Sequence, residues 1–135
     1  MVNKGDLDET LAPVGDRAIA VVAMPADTNP SGDIFGGWIL SQMDIAGGVA
    51  ASQLANGRTA TIGVKEMEFH KPVSVGDLVS CYTQLQNIGT SSITIKIEAW
   101  ITNRYNPSSL VKVTEGVFTY VAIDENRKPR PVKKG

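Results

Sequence analysis

The feature that most constrains this chain is an apolar segment with one carboxylate at its centre, residues 32–48, GDIFGGWILSQMDIAGG. Glycine pairs stand near both ends of the segment, and Asp44 lies between them. Residues 36–54 contain no proline, few β-branched residues and several alanines, which predicts one long helix. Asn56-Gly57 is typical of a helix C-terminus. Because the helix is apolar around nearly its whole circumference, we expect a sheet to wrap it.

The chain on both sides of this helix is patterned as strands. Residues 17–23, RAIAVVA, predict a first strand. Apolar and polar residues alternate in SITIKIEAW, as in an antiparallel strand with one exposed face. The strand candidates after the helix are residues 59–69, 78–88, 91–102 and 110–123. One helix followed by a run of strands predicts an α+β fold with the helix packed on an antiparallel sheet.

The length of 135 residues predicts a single domain with a sizeable core. Residues 1–15 show no hydrophobic period and predict a flexible N-terminal tail. The domain itself is expected over residues 16–125. Residues 126–135 are basic and contain prolines, which predicts a C-terminal tail with no core to join.

Charge and cysteine content argue against several classes of protein. The formal net charge of −1 favours neither nucleic acid nor a membrane surface as a partner. No apolar run approaches the ~20 residues that span a bilayer. The first residues are acidic and unlike a secretory signal, so we expect a cytoplasmic protein. The single cysteine, Cys81, excludes an intramolecular disulfide. One cysteine and one histidine, His70, are too few for a structural zinc site, so we expect no bound metal.

Small and polar residues form a stripe along the predicted helix. Their members are Gly37, Ser41, Asp44 and Gly48, spaced 4, 3 and 4 residues apart. Such a stripe lets a ligand or another backbone approach closely, and a carboxylate within it is a candidate general base. The alternative is a mid-helix aspartate that faces solvent or bonds a neighbouring hydroxyl.

The glycine pair at the helix start is a candidate oxyanion site. The N–H groups of Gly36 and Gly37 lack intrahelical partners and lie at the positive end of the helix dipole. The alternative is that the glycines only turn the chain into the helix. Asp44 lies eight residues beyond Gly36, about 12 Å along the axis, so one carbonyl cannot contact both groups of one helix. If both act on one substrate, they come from different chains, which predicts a dimer with two interfacial active sites.

Four stretches of the chain resemble the YciA-type acyl-CoA thioesterases. The most specific is MPADTNPSGDIFGGWILSQMDIAGG at residues 24–48. The resemblance continues through residues 64–82, 89–100 and 113–131 and covers about residues 16–131. It implies a hotdog fold, in which one long central helix is wrapped by a five- to six-stranded antiparallel sheet. It also implies dimers joined edge to edge, which often assemble further as trimers of dimers, giving a hexamer.

The resemblance further implies hydrolysis of acyl-CoA to free CoA and a carboxylic acid, without a metal or cofactor. Asp44 matches the catalytic carboxylate of the family. Gly36 matches the glycine whose N–H polarises the thioester carbonyl, and Asn29 matches an assisting side-chain amide. The chain departs from some relatives at Phe35, where they carry histidine, and at Gly48, where they carry a hydroxyl that holds water. Whether Asp44 acts as general base for water or as nucleophile stays open.

The CoA part of the substrate needs phosphate-binding groups. Hotdog relatives bind CoA phosphates near a turn like residues 87–92, so Thr90, Ser91 and Ser92 are candidates, the alternative being ordinary turn residues. Arg58 and Lys71 are candidate phosphate partners, against the alternative of solvated surface charges. The same two readings apply to the cations near the C-terminus, Arg127, Lys128 and Arg130.

The other chemistry-bearing residues are expected to be structural. His70 has no acidic partner at a telling spacing, so a structural or surface role is expected for it, and Cys81 lies in a strand pattern, so we expect it in the core. Trp100 and Phe118 are expected to pack in the strands rather than form a cofactor cage, and Trp38 is expected in the core, the alternative being a border of the acyl channel. Two other functions remain as alternatives: a hotdog hydratase or dehydratase, which typically pairs a histidine with a carboxylate, and a non-catalytic acyl-CoA sensor, which normally carries a DNA-binding module. The one histidine lies outside the helix segment, and no helix-turn-helix or basic stripe is visible.

Overall fold

The computed structural model describes residues 12–132, which form one long helix and a five-stranded antiparallel sheet. In chain order the elements are β1 (Asp16–Val22), α1 (Gly36–Ala55), β2 (Thr59–Phe69), β3 (Leu78–Ile88), β4 (Ser92–Asn103) and β5 (Asn106–Ala122), with a single 3₁₀ turn at Pro25–Asp27 before α1. The strand order is β1-β3-β4-β5-β2, so β1 and β2 are the edges. The predicted α+β fold and the order of its elements are confirmed. Most of the predicted N-terminal tail, residues 1–11, lies outside the described residues.

Both ends of α1 follow from local sequence. The helix begins after Phe35, whose backbone is extended with φ −76° and ψ 148°. It ends at Asn56 in the left-handed conformation, with φ 53° and ψ 47°, which asparagine tolerates better than most residues. The N–H of Gly57 donates to the carbonyl of Ser52 at 3.1 Å, satisfying one of the last carbonyls of the helix. The predicted stop at Asn56-Gly57 is confirmed.

The helix packs across one face of the sheet and contacts all five strands. Its buried residues are Ile39, Met43, Ala46, Gly47, Ala51 and Ala55. On the opposite side of the helix, Ile45 is 53% exposed and Val49 is also exposed. Within one chain the sheet therefore buries one face of this apolar helix and leaves apolar residues of the other face exposed. None of the helices among residues 12–132 combines the length and apolarity that crossing a bilayer requires.

Gly47 is the point of closest approach between α1 and the sheet. A Cβ at this position would overlap the hydroxyl of Tyr120 and lie 2.6 Å from Cδ1 of Ile97, whereas one at Gly48 would meet nothing within 4 Å. The two glycines are neighbours in the same helix, so they form a matched pair in which only packing differs.

We expect Gly47→Ala to lower the free energy of unfolding by about 1–3 kcal/mol through overpacking. Gly48→Ala should instead raise it by up to about 1 kcal/mol, because alanine is the better helix former. Thermal and urea unfolding followed by circular dichroism measures both variants. Equal stability of the two variants would show that Tyr120 and Ile97 do not limit the approach of the helix.

The chain beyond β5 folds back onto the domain. Pro129 bridges Ile123, and Val132 is 3% exposed and belongs to the core. The Arg130 guanidinium donates to the carbonyl of Ala55 at 3.0 Å, at the negative end of the α1 dipole, and to that of Ile123 at 3.1 Å. The expectation that this end has no core to join is therefore wrong for Val132, because an apolar side chain follows the prolines. The boundary of the tail at residue 126 stays a prediction.

Candidate active site

Asp44 is held between two hydroxyl groups from the sheet. Thr61 and Tyr120 are opposite each other in the antiparallel pairing of β2 with β5, so their side chains share one face. The Thr61 hydroxyl donates to Oδ1 of Asp44 at 2.7 Å. The Tyr120 hydroxyl lies 3.0 Å from the same Oδ1 and 3.0 Å from the main-chain oxygen of Asp44. The half-buried carboxylate is thereby anchored through one of its two oxygens.

Tyr120 remains a hydrogen-bond donor at neutral pH. Burial, and after it the charge and hydrogen bond of Asp44, raise the pKa of Tyr120 well above its ordinary value. Sequence reasoning did not find Thr61 or Tyr120. The only sequence signal for them is the alternation of β2 and β5, which does not reveal the register that sets them opposite each other.

The start of α1 presents two free N–H groups. The N–H of Trp38 donates to the carbonyl of Phe35 at 3.1 Å, whereas those of Gly36 and Gly37 have no acceptor among the described residues. A cavity of about 330 Å³ opens beside Gly36, walled by Phe69 at the end of β2 and by residues that follow it, including His70 and Lys71. An oxyanion in this cavity could accept hydrogen bonds from the helix start.

Asn29 lies in the loop that leads to this helix start. Its Oδ1 accepts hydrogen bonds from the N–H groups of Ser31 at 2.9 Å and Asp33 at 3.1 Å. The loop doubles back, so that Thr28 bridges Ile34 just before the helix. These bonds orient the carboxamide and leave its NH₂ group without a partner in the part of the chain described. The NH₂ group is thus available as a donor in the loop that precedes the glycine pair.

The candidate phosphate-binding residues fall into two groups at opposite ends of α1. Lys71 borders the cavity at Gly36. At the other end, the carbonyls of Ser91 and Arg58 accept from the consecutive N–H groups of Ala122 and Ile123, at 2.8 and 3.0 Å, so these two residues flank the end of β5. Thr90 lies in the same turn as Ser91, and Ser92 is the first residue of β4. Since a helix of 20 residues is about 30 Å long, one chain does not bring the two groups together.

The residues expected in the core are buried or pack against it. Cys81 is fully buried, and burial raises the pKa of its thiol to about 12, which makes it a poor nucleophile. Trp100 and Phe118 are buried, and Trp38 packs against the core. His70 lies at the surface, in the wall of the cavity beside Gly36, with Nε2 3.9 Å from Oε1 of Glu68, an acidic neighbour that the sequence spacing did not predict. Among the tail cations, Arg130 is engaged with main-chain carbonyls rather than free for phosphate.

One polar cluster could in principle hold a cation. Ligand atoms of Glu68, His70 and Glu115 lie within 4.8 Å of one another. Lys112 already donates to Oε1 of Glu115 at 3.0 Å, and Lys96 lies 3.7 Å from the same oxygen. Burial alone would raise the pKa of Glu115, but its hydrogen bond to Lys112 and the charges of both lysines lower it overall. The negative charge of Glu115 is therefore balanced by the ammonium groups of Lys112 and Lys96.

Comparison with known proteins places this geometry among thioesterases. Residues 31–107 match the family model of the Thioesterase superfamily. The chain is 48% identical over 122 residues to the acyl-CoA thioester hydrolase YciA of Salmonella typhimurium, covering 89% of this chain and 92% of that protein.

Two solved structures are similar over nearly the whole fold. The hexameric thioesterase y2039 of Yersinia pestis is 49% identical with a TM-score of 0.87, covering 92% of this chain and 100% of that one. HI0827, a hexameric broad specificity acyl-coenzyme A thioesterase solved as its Asp44Ala mutant, is 45% identical with a TM-score of 0.86. The match covers 89% of this chain and 88% of that one.

Proposed function

The chain belongs to the thioesterase superfamily, among its YciA-type acyl-CoA thioester hydrolases, and from this premise we propose that it hydrolyses acyl-CoA to free CoA and a carboxylic acid. The observation that carries the proposal is the anchored carboxylate of Asp44, in a chain whose helix start also exposes two unpaired N–H groups. A thioester carbonyl is a suitable target for so few groups, since it is weakly resonance-stabilised and its thiolate leaves readily.

In the proposed reaction the two halves of the site come from two chains. The N–H groups of Gly36 and Gly37, assisted by Asn29, hold the carbonyl oxygen as negative charge develops on it. The partner's Asp44 takes a proton from water while the water oxygen bonds to the carbonyl carbon. The oxyanion then re-forms the carbonyl, the C–S bond breaks, and the proton that Asp44 took from water passes to the CoA thiolate. Direct attack by the carboxylate, through a mixed anhydride that water hydrolyses, is the alternative course. Neither course needs a metal or cofactor.

The edge strand β2 is the proposed dimer contact. Beyond β5, no described strand pairs with β2, and Ile62, Val64 and Phe69 on it are exposed. A long apolar edge with unpaired N–H and C=O groups is a template for another strand. Asp44 contacts β2 through Thr61, so a partner paired there would come close to the carboxylate. Trimers of such dimers would give a hexamer, the assembly of the two solved relatives.

A two-fold axis at this edge would also unite the two groups of phosphate-binding candidates. Pairing β2 with its copy sets the two helices side by side and antiparallel. The helix start and Lys71 of one chain then lie near the C-terminal end of the partner's helix. The partner's Arg58, with Thr90 and Ser91 of its β3–β4 turn and Ser92 at the start of its β4, would extend the site toward the CoA phosphates. A cytoplasmic location, where acyl-CoA is available, stays part of the proposal.

Thiol release from a panel of acyl-CoA substrates tests the proposal directly. We expect free CoA to appear with several acyl chains, at rates well above spontaneous hydrolysis. With crotonyl-CoA, hydration of the double bond without release of thiol would instead identify a hydratase. Tight binding of acyl-CoA with no release would identify a sensor. Either of these results would contradict the proposal.

A further inference from the structure

Tyr120 of β5 lies beneath α1 at the residue where the helix carries its carboxylate. Its side chain is 1% exposed and stacks on Phe118, with ring centroids 6.4 Å apart. The hydroxyl is 3.0 Å from both the main-chain oxygen and Oδ1 of Asp44, so one proton is shared between two acceptors of the same residue. The carboxylate and the helix backbone that bears it are therefore tied to one atom of the sheet.

The helix has no side chain where the tyrosine needs room. A Cβ at Gly47 would overlap the Tyr120 hydroxyl, whereas the neighbouring Gly48 faces open space. The approach of the ring to Asp44 thus depends on a glycine at this one position of α1.

The two oxygens of the carboxylate differ in their surroundings. Oδ1 has two donors, Tyr120 and Thr61, while Oδ2 has none among the described residues. No side-chain N or O atom in this part of the chain is both buried and without a partner, so Oδ2 is accessible to solvent. Two donors on one oxygen fix the rotamer of the carboxylate and leave the other oxygen for chemistry.

We propose that Tyr120, with Thr61 beside it, is a positioning residue that holds Oδ1 of Asp44 so that Oδ2 is the oxygen presented to the reacting water or thioester carbon. This inference rests on the proposed function and adds to it a buried residue that touches no substrate. It holds for both roles of Asp44. As general base, Oδ2 accepts the proton of the water that bonds to the carbonyl carbon; as nucleophile, Oδ2 itself forms that bond. Tyr120 keeps its proton in either course.

Tyr120→Phe removes the hydroxyl and keeps the ring. We expect kcat for acyl-CoA to fall about 10- to 100-fold, because a misaligned carboxylate reacts slowly. KM should stay within about twofold, since no substrate contact is lost. Tyr105→Phe is the matched control, the same chemical change at a residue that is 83% exposed, and it should leave both constants unchanged.

Two further measurements separate positioning from a purely structural role. Tyr120→Phe in an Asp44→Asn background should cost no additional turnover, because its effect passes through the carboxylate. A lower melting temperature with normal kcat, or a full additional loss in that background, would overturn the proposal. If Tyr120→Phe does not fold, Thr61→Val removes the other donor from an exposed position, and a normal kcat there would also overturn it. Wild-type protein that releases no thiol would overturn the proposed function itself.

Discussion

Asp44→Asn should fold, bind acyl-CoA and lose most of its turnover. The asparagine side chain has the same shape, and its carbonyl oxygen can still accept from Thr61 and Tyr120, so the anchoring contacts survive. The amide can neither take a proton from water nor attack a thioester. We expect kcat to fall about 10²- to 10⁴-fold, the usual contribution of a positioned base. Thiol release measures the rate, and calorimetry with a CoA thioester measures the binding.

Glu125→Gln is the control for this substitution. It makes the same change from acid to amide at an exposed residue outside the site, and its rate and binding should equal those of the wild type. A near-normal kcat for Asp44→Asn would remove the carboxylate from the mechanism. Lost binding together with lost turnover would instead assign Asp44 to substrate capture.

Two inactive variants should restore each other when they share an oligomer. Gly36→Pro deletes the N–H at the first helical position, where proline is well tolerated. The extended backbone of Phe35, with φ −76° and ψ 148°, suits a residue that precedes proline. We expect kcat to fall about 10²- to 10³-fold, the cost of one oxyanion donor. Gly36→Ala adds a Cβ that meets only the Phe69 ring, at 3.4 Å, and keeps the N–H, so it should remain active.

In a mixed dimer of Gly36→Pro with Asp44→Asn, one of the two sites combines an intact helix start with the partner's intact Asp44. The other site carries both substitutions. A pool of chains paired at random should therefore recover about a quarter of wild-type turnover, and the mixed dimers within it about half, from two parents that have almost none. Co-expression with two different tags and sequential purification isolates the mixed oligomers. If they stay inactive, or if an isolated monomer of the wild type is fully active, the site is not shared between chains.

Local patterns were enough for the elements of this fold. Composition and residue spacing, taken over only a few neighbouring residues, predict the helix Gly36–Ala55 and its end at Asn56. They also predict the strands Thr59–Phe69 and Leu78–Ile88. The distance argument along one helix, from Gly36 to Asp44, also needed only the helical rise. Such properties depend on residues close in sequence, so they can be predicted without knowing the tertiary structure.

Contacts across long stretches of chain were decided only by the folded structure. Tyr120 is 76 residues from Asp44, and Arg130 is 75 residues from Ala55, the helix residue it contacts. Val132 packs in the core although the segment of sequence around it is rich in charged residues and proline. Which hydroxyls meet the carboxylate depends on the register between β2 and β5, and a slip of β2 by one residue would turn Thr61 to the other face, away from Tyr120. The amino-acid pattern alone therefore singled out the candidate carboxylate, while strand pairing, a property of the whole sheet, determined which groups hold it in place.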